Sequence, residues 1–222
     1  MYLSRVMIDV NNRQKTKDLT HLGAYHNWVE QSFPDEVEKQ SRSRKLWRID
    51  TLRKEKYLIV LSETKPDPAV LVKYGVAGTV LIKSYDNFLN SLKNGQYLRF
   101  RLTANPTHSV ITPGEKRGRV FPHVTVDQQK DWLIQKTKTT GFQIVKKQEN
   151  SDHYLFDVVE RDHPILKHKN ERKVHLSRVS FEGILKITDL EMFKKSLIGG
   201  IGRKKAYGMG LMTVIPVKQN EA

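Results

Sequence analysis

Apolar residues gather at Leu3, Val6 and Ile8 in YLSRVMID, a run with β-branched character that predicts an opening strand. The period changes over residues 18–33, DLTHLGAYHNWVEQSF. There Leu22, Tyr25, Val29 and Phe33 fall near one helical face, Asp18 offers a cap, and Pro34 stops the run. RKLWRID and KYLIVLSE predict two strands. SYDNFLNSLKNG places Tyr85, Phe88, Leu89 and Leu92 at helical spacing, with Ser84 as cap and Gly95 just past the end. YLRFRLTANP then alternates, with Leu98, Phe100 and Leu102 on one side and Arg99 and Arg101 on the other. The order is β-α-β-β-α-β.

The pattern repeats after a polar, basic stretch, PTHSVITPGEKRGR, that reads as a linker. VFPHVTV predicts a short strand, DQQKDWLIQKTKTTG a helix ending at Gly141, and FQIVKKQ and HYLFDVVE two strands. HLSRVSFEGILKIT is a longer strand. DLEMFKKSLIGG is a helix with Leu190, Phe193 and Leu197 inward, and LMTVIPV closes the chain. One strand exceeds a strict second β-α-β-β-α-β, so VFPHVTV or part of 142–160 is expected to be a hairpin or insert. The chain is thus α+β, two tandem ferredoxin-like domains at 1–108 and 109–222. The RNA-recognition fold shares this topology, although topology alone does not establish a function.

Composition narrows the partners. Of 222 residues 38% are hydrophobic, enough for a core, and 39 Lys and Arg against 24 acids leave a formal charge of +15. Such an excess favours a polyanion, nucleic acid before an anionic membrane surface. Arg5 and Asp9 interrupt the first apolar run, so it is neither signal peptide nor span, and no lipidation motif stands in the chain. No membrane partner and a cytoplasmic location are expected. The absence of cysteine excludes disulfides, thiolate nucleophiles and Cys-based zinc sites.

The segment IGGIGRKKAYGMGLMTV, 198–214, holds Gly199, Gly200, Gly202, Gly208 and Gly210 with Arg203, Lys204 and Lys205 among them. No spacing matches a Walker loop, and the segment follows a helix rather than the first strand of a βαβ unit. A mononucleotide cofactor is therefore not expected. A plain turn from helix to strand is one reading. The other is a surface, lying between the halves, where backbone N–H groups and lysines hold an RNA strand.

The eight histidines form no H-E-x-x-H or other metal-ligand spacing, and no D-x-D pair marks a two-metal nuclease. Neither metal nor other cofactor is expected. Cleavage of RNA would then use the substrate's own 2′-hydroxyl, with a base for that hydroxyl, an acid for the leaving 5′-oxygen and cations for the phosphorane. His26, mid-helix beside the apolar stripe, is the leading acid–base residue; a half-buried packing histidine is the alternative. His21 is expected to face solvent, and Gly23 inside the helix costs about 1 kcal/mol relative to Ala, with close approach of another chain as one reason for a glycine there. RDHPILKHKNERKVHLSR, 161–178, carries Lys167, Lys169, Arg172 and Lys173. It is either a solvated loop or a basic hairpin gripping an RNA backbone.

Four blocks in these elements resemble a known family. MYLSRVMI, LRFRLTANP, FEGILKITD and GGIGRKKAYGMGLMTVIP are similar, in order and nearly end to end, to the CRISPR repeat-RNA processing endoribonucleases of the CasE type in type I-E systems. The resemblance implies two ferredoxin-like domains and metal-independent cleavage of a repeat hairpin. Implied products are a 5′-hydroxyl and a 2′,3′-cyclic phosphate, with the processed guide kept for a surveillance complex whose other subunits are partners. The family's catalytic histidine, on the first helix before an F-P, falls on His26 in HNWVEQSFP. The family's frequent tyrosine three residues earlier is Gly23 here, and Tyr25 points about 100° around the helix. Lys205 keeps the family's lysine position, which places it near RNA phosphate, while Arg203 replaces a common proline. RNA-binding residues are expected at Arg99, Arg101, Lys167, Lys169, Arg172, Lys173, Gly200, Gly202, Arg203, Lys204, Gly208 and Gly210. A non-catalytic RNA-binding subunit with the same fold remains the alternative, and a DNA-binding or ribosome-associated protein a more distant one.

Overall fold

The computed structural model describes residues 1–111, 114, 118–148, 153–167 and 173–217. The chain divides into two compact units, residues 1–91 with 205–211 and residues 92–204 with 212–222.

The first unit runs β1 (Tyr2–Met7), α1 (Arg13–Thr16), α2 (Leu22–Gln31), α3 (Pro34–Glu38), β2 (Leu46–Leu52), β3 (Glu55–Ser62), α4 (Pro68–Leu71), β4 (Leu81–Ser84) and α5 (Asp86–Ser91). Its sheet has the order β2-β3-β1-β4, antiparallel throughout, which is the ferredoxin-like arrangement. Arg53 and Lys54, at φ 51° and 71°, form the two-residue turn between β2 and β3 and match the twist of the strands. Val6, Ile8, Leu58 and Val60 on the sheet and Leu22, Trp28, Val29 and Phe33 on or beside α2 are buried.

The second unit runs β5 (Tyr97–Ala104), β6 (Thr107–Val110), β7 (Arg119–Pro122), α6 (Val126–Thr137), β8 (Phe142–Ile144), β9 (Phe156–Asp162), β10 (Ile165–Lys167), β11 (Lys173–His175), β12 (Arg178–Ile187), α7 (Leu190–Gly199) and β13 (Met212–Pro216). The order β13-β5-β12-β8, with β9 also on β12, is again ferredoxin-like. Strands β8 and β9 share one edge of β12: β8 pairs with Leu185–Ile187 and β9 with the stretch from Arg178 to Gly183. A Cβ on Gly183 would collide with the Leu155 carbonyl oxygen, so the glycine of F-E-G lets the chain pass where the two edge strands meet. Leu98, Phe100, Leu102, Phe142, Leu185, Phe193 and Leu197 are buried together in this unit.

Three expectations change, one of them the linker: β6 stands within PTHSVITPGEKRGR. YLRFRLTANP does not close the first half; β5 opens the second, paired along its length with β12 and with β13, while the short β4 closes the first sheet. The extra strand is thereby explained. VFPHVTV contributes β7 to an inserted β6–β7 hairpin, and residues 142–162 supply two strands to one sheet position. The first long helix also starts later than its periodicity predicts, at Leu22 rather than near Asp18.

Candidate active site

Helix α2 begins where the His21 side chain takes up a free backbone donor: its Nδ1 accepts from Ala24 N at 3.1 Å. A Cβ on Gly23 would lie 3.0 Å from that same Nδ1, so the glycine makes room for the cap. One turn further on stands His26, half-buried, with Nδ1 3.9 Å from Glu30 Oε1. Burial lowers the imidazole pKa from 6.5; the Glu30 carboxylate opposes this, and the positive charges of Arg42 and Lys45 add to it. His26 is therefore predominantly neutral at pH 7 and ready to accept a proton.

The glycine segment divides. Residues up to Lys204 belong to the second unit, but Lys205–Tyr207 form a 3₁₀ turn that belongs to the first and packs against α2 and β2. Three interactions hold this return. Trp47 Nε1 donates to the Ala206 carbonyl at 3.1 Å. Arg48 Nη1 donates to the Leu211 carbonyl at 3.0 Å, while its Nε and Nη2 engage Asp50 at 2.6 and 2.7 Å. Gly208, at φ 76°, lies against the Trp47 ring, 2.6 Å from where a Cβ would stand. The Tyr207 ring then comes to rest 6.1 Å from that of His26, tilted by 54°. Lys205 is half-buried in the same turn, and burial followed by the Arg44 charge lowers its pKa from 10.5.

Beneath His26, the buried Lys45 links two helices, 2.7 Å from Glu36 and 3.5 Å from Glu30. Tyr25 faces elsewhere, stacked on Trp47 at 6.0 Å and tilted against Trp28 at 6.4 Å. His26, Lys205 and Gly208 are thus brought into one unit, and Gly210 lies buried in the same segment. The other expected residues are placed separately. Gly200, Gly202, Arg203 and Lys204 belong to the second unit, where Arg203 Nη2 reaches Ser109 Oγ at 3.4 Å. Arg99 is exposed on β5, and Arg101 is paired with Glu182 and, at 3.3 Å, with Glu160. The backbones of Lys167 and Lys173 face each other in the β10–β11 hairpin; Lys169 and Arg172 lie outside the described residues. Tyr207 was not among the expected site residues. Its only sequence signal is an aromatic inside a glycine- and lysine-rich loop.

The motifs hold structural positions as well. Asn105 of A-N-P is buried, and its Oδ1 accepts from Ser177 N at 3.2 Å, tying the end of β5 to the start of β12. The CRISPR-associated endoribonuclease Cse3 of Thermus thermophilus is 26% identical over 223 residues, 97% of this chain and all of that one. The solved structure of Thermus thermophilus Cse3 bound to an RNA representing a pre-cleavage complex is similar at TM-score 0.76 and 25% identity. That likeness covers 97% of this chain and 98% of the other. A chain of a CRISPR RNA-guided surveillance complex in its pre-nicking state shares the fold at TM-score 0.66 and 20% identity, over 98% of this chain and all of that one. The family model described as CRISPR associated protein matches residues 1–216, and the chain belongs to that family, on the CasE-type side that its sequence blocks resemble.

Proposed function

We propose that this protein is an endoribonuclease that binds the hairpin of CRISPR repeat RNA, cleaves it without a metal ion, and retains the processed guide. It then serves as a subunit of a type I-E surveillance complex in the cytoplasm. The 2′-oxygen at the cut attacks the adjacent phosphorus, the P–O5′ bond breaks, and the products are a 2′,3′-cyclic phosphate and a 5′-hydroxyl. His26 takes the proton from the 2′-hydroxyl. Lys205 carries positive charge toward the phosphorane, where it acts on charge that grows in the transition state. The β10–β11 hairpin, with the basic residues at and between its strands, holds the RNA stem through phosphate contacts.

The observation that carries this reading is the return of the glycine segment onto α2. It sets a basic turn beside a half-buried histidine kept neutral by burial.

The test is incubation of the purified chain with a hairpin repeat RNA and mapping of the ends. Cleavage is expected to persist in EDTA and to stop when the nucleotide 5′ of the cut carries 2′-deoxyribose. A strict Mg²⁺ requirement, or cutting of the deoxy substrate, identifies a different mechanism. Tight binding with no cleavage identifies a non-catalytic subunit.

A further inference from the structure

The reaction moves two protons, one from the 2′-hydroxyl and one to the leaving 5′-oxygen, and a 5′-alkoxide is a poor leaving group without the second. His26 as a base accounts for one. Glu30, 3.9 Å from His26 Nδ1, is already engaged by Lys45 at 3.5 Å. Tyr25 has its ring stacked on Trp47.

Tyr207 meets the remaining requirements. Its ring lies 6.1 Å from that of His26 on a different segment of chain, so the two side chains stand side by side on separate supports. The backbone is secured on both sides of it: Ala206 by the Trp47 indole N–H, Gly208 by close packing on the same indole. Its phenol O–H is a hydrogen-bond donor able to pass a proton to an alkoxide.

We infer that Tyr207 is the general acid of the cleavage, its hydroxyl protonating the departing 5′-oxygen while His26 takes the 2′ proton. This rests on the ribonuclease reading above. As the 2′-O–P bond forms and the P–O5′ bond breaks, one proton passes to His26 and one leaves Tyr207. Exchange with solvent then restores the imidazole and the phenol.

The experiment uses single-turnover cleavage of a hairpin repeat RNA at saturating protein. It compares the ordinary substrate with one carrying sulfur in place of the 5′-oxygen at the cut. Sulfur departs as a thiolate and needs no proton. On the ordinary substrate Tyr207→Phe is expected to be slower by about 100-fold or more, with hairpin binding within a few-fold of wild type, because phenylalanine keeps the ring and lacks the hydroxyl proton. On the sulfur substrate Tyr207→Phe is expected to return to within a few-fold of wild type, whereas His26→Ala and Lys205→Ala stay slow. Equal rates for Tyr207→Phe and wild type on the ordinary RNA overturn the inference and leave the ribonuclease reading standing. So does a defect that sulfur does not rescue. Rescue of Lys205→Ala instead assigns the acid to Lys205. A wild-type chain that cleaves neither substrate removes the ribonuclease reading and this inference together.

Discussion

The indole N–H of Trp47 donates to the carbonyl of Ala206 at 3.1 Å, joining residues 159 positions apart in the chain. Trp47 is 1% exposed, and its ring leaves space for Gly208 only because that residue has no side chain. Trp47, with its β2 neighbour Arg48 bonded to the Leu211 carbonyl, thus determines where the turn carrying Lys205 and Tyr207 rests.

Gly208→Ala tests this directly. A Cβ at φ 76° costs about 1–2 kcal/mol. Its approach to 2.6 Å from the Trp47 ring adds about 1–3 kcal/mol of overpacking. Denaturant unfolding should show a loss in that range, and single-turnover cleavage should fall further than RNA binding. Unchanged cleavage would mean that the turn need not sit where it does.

The rate of cleavage should rise with pH along an acid limb whose midpoint lies below pH 6.5. His26 acts as a neutral base, and burial lowers its pKa from 6.5 while Glu30 pulls the other way. The charges facing it are Glu30, Arg42 and Lys45, with the Tyr207 ring alongside. Glu30→Gln removes the one opposing carboxylate, so the acid limb of the profile should move to lower pH. His26→Ala should abolish cleavage and leave hairpin binding within a few-fold. A limb that moves to higher pH in Glu30→Gln would contradict the electrostatics described here.

The two basic regions should differ in what they contribute. Neutralising Lys167, Lys169, Arg172 and Lys173 should weaken RNA binding and flatten its log–log salt slope by about 0.7–0.9 for each RNA phosphate left without its cation, with cleavage at saturating protein largely kept. Lys205→Ala should instead slow the saturated rate more than it weakens binding. A salt titration with single-turnover rates for both variants checks the division. A hairpin variant with an unchanged slope would remove its assignment to the stem.

Glu36 links acid sensitivity to the support beneath His26. Burial pushes its carboxyl pKa up, but hydrogen bonds from Lys45 at 2.7 Å, Thr64 at 2.5 Å and Ser43 outweigh that and hold it at about 2. A folded pKa below the ordinary 4.5 contributes stability that is fully present above pH 4.5 and is lost as pH falls toward 2. Glu36→Gln should remove this part of the acid dependence. At pH 7 it should cost about 3–5 kcal/mol by depriving buried Lys45 of its nearest anion, toward the lower end because Glu30 remains 3.5 Å away. Urea unfolding of both proteins between pH 3 and pH 7 provides the measurement.

Local pattern determined a good deal. The alternation of Leu98, Phe100 and Leu102 with Arg99 and Arg101 marked a strand with one buried face, and the structure buries those three apolar residues. Helical spacing placed Leu190, Phe193 and Leu197 inward; Phe193 and Leu197 are fully buried and Leu190 is half-buried. The 3.6-residue repeat put His26 beside the apolar stripe, where a packing histidine fits equally well, and the resemblance of HNWVEQSFP to the family motif singled it out. Pairing was not legible. Whether β5 closes one sheet or opens the next depends on which distant strand offers it the longer ladder, and alternation says nothing about the partner. The four-residue β4 took the place assigned to β5 in the first sheet because a short edge strand carries too few residues to display a period. The start of α2 was settled by a His21 ring that needs Gly23 beneath it, a steric relation invisible to propensity. Tyr207 lay beyond sequence reasoning altogether. Its position beside His26 depends on hydrogen bonds from Trp47 and Arg48 to carbonyl groups, and any residue type carries a carbonyl.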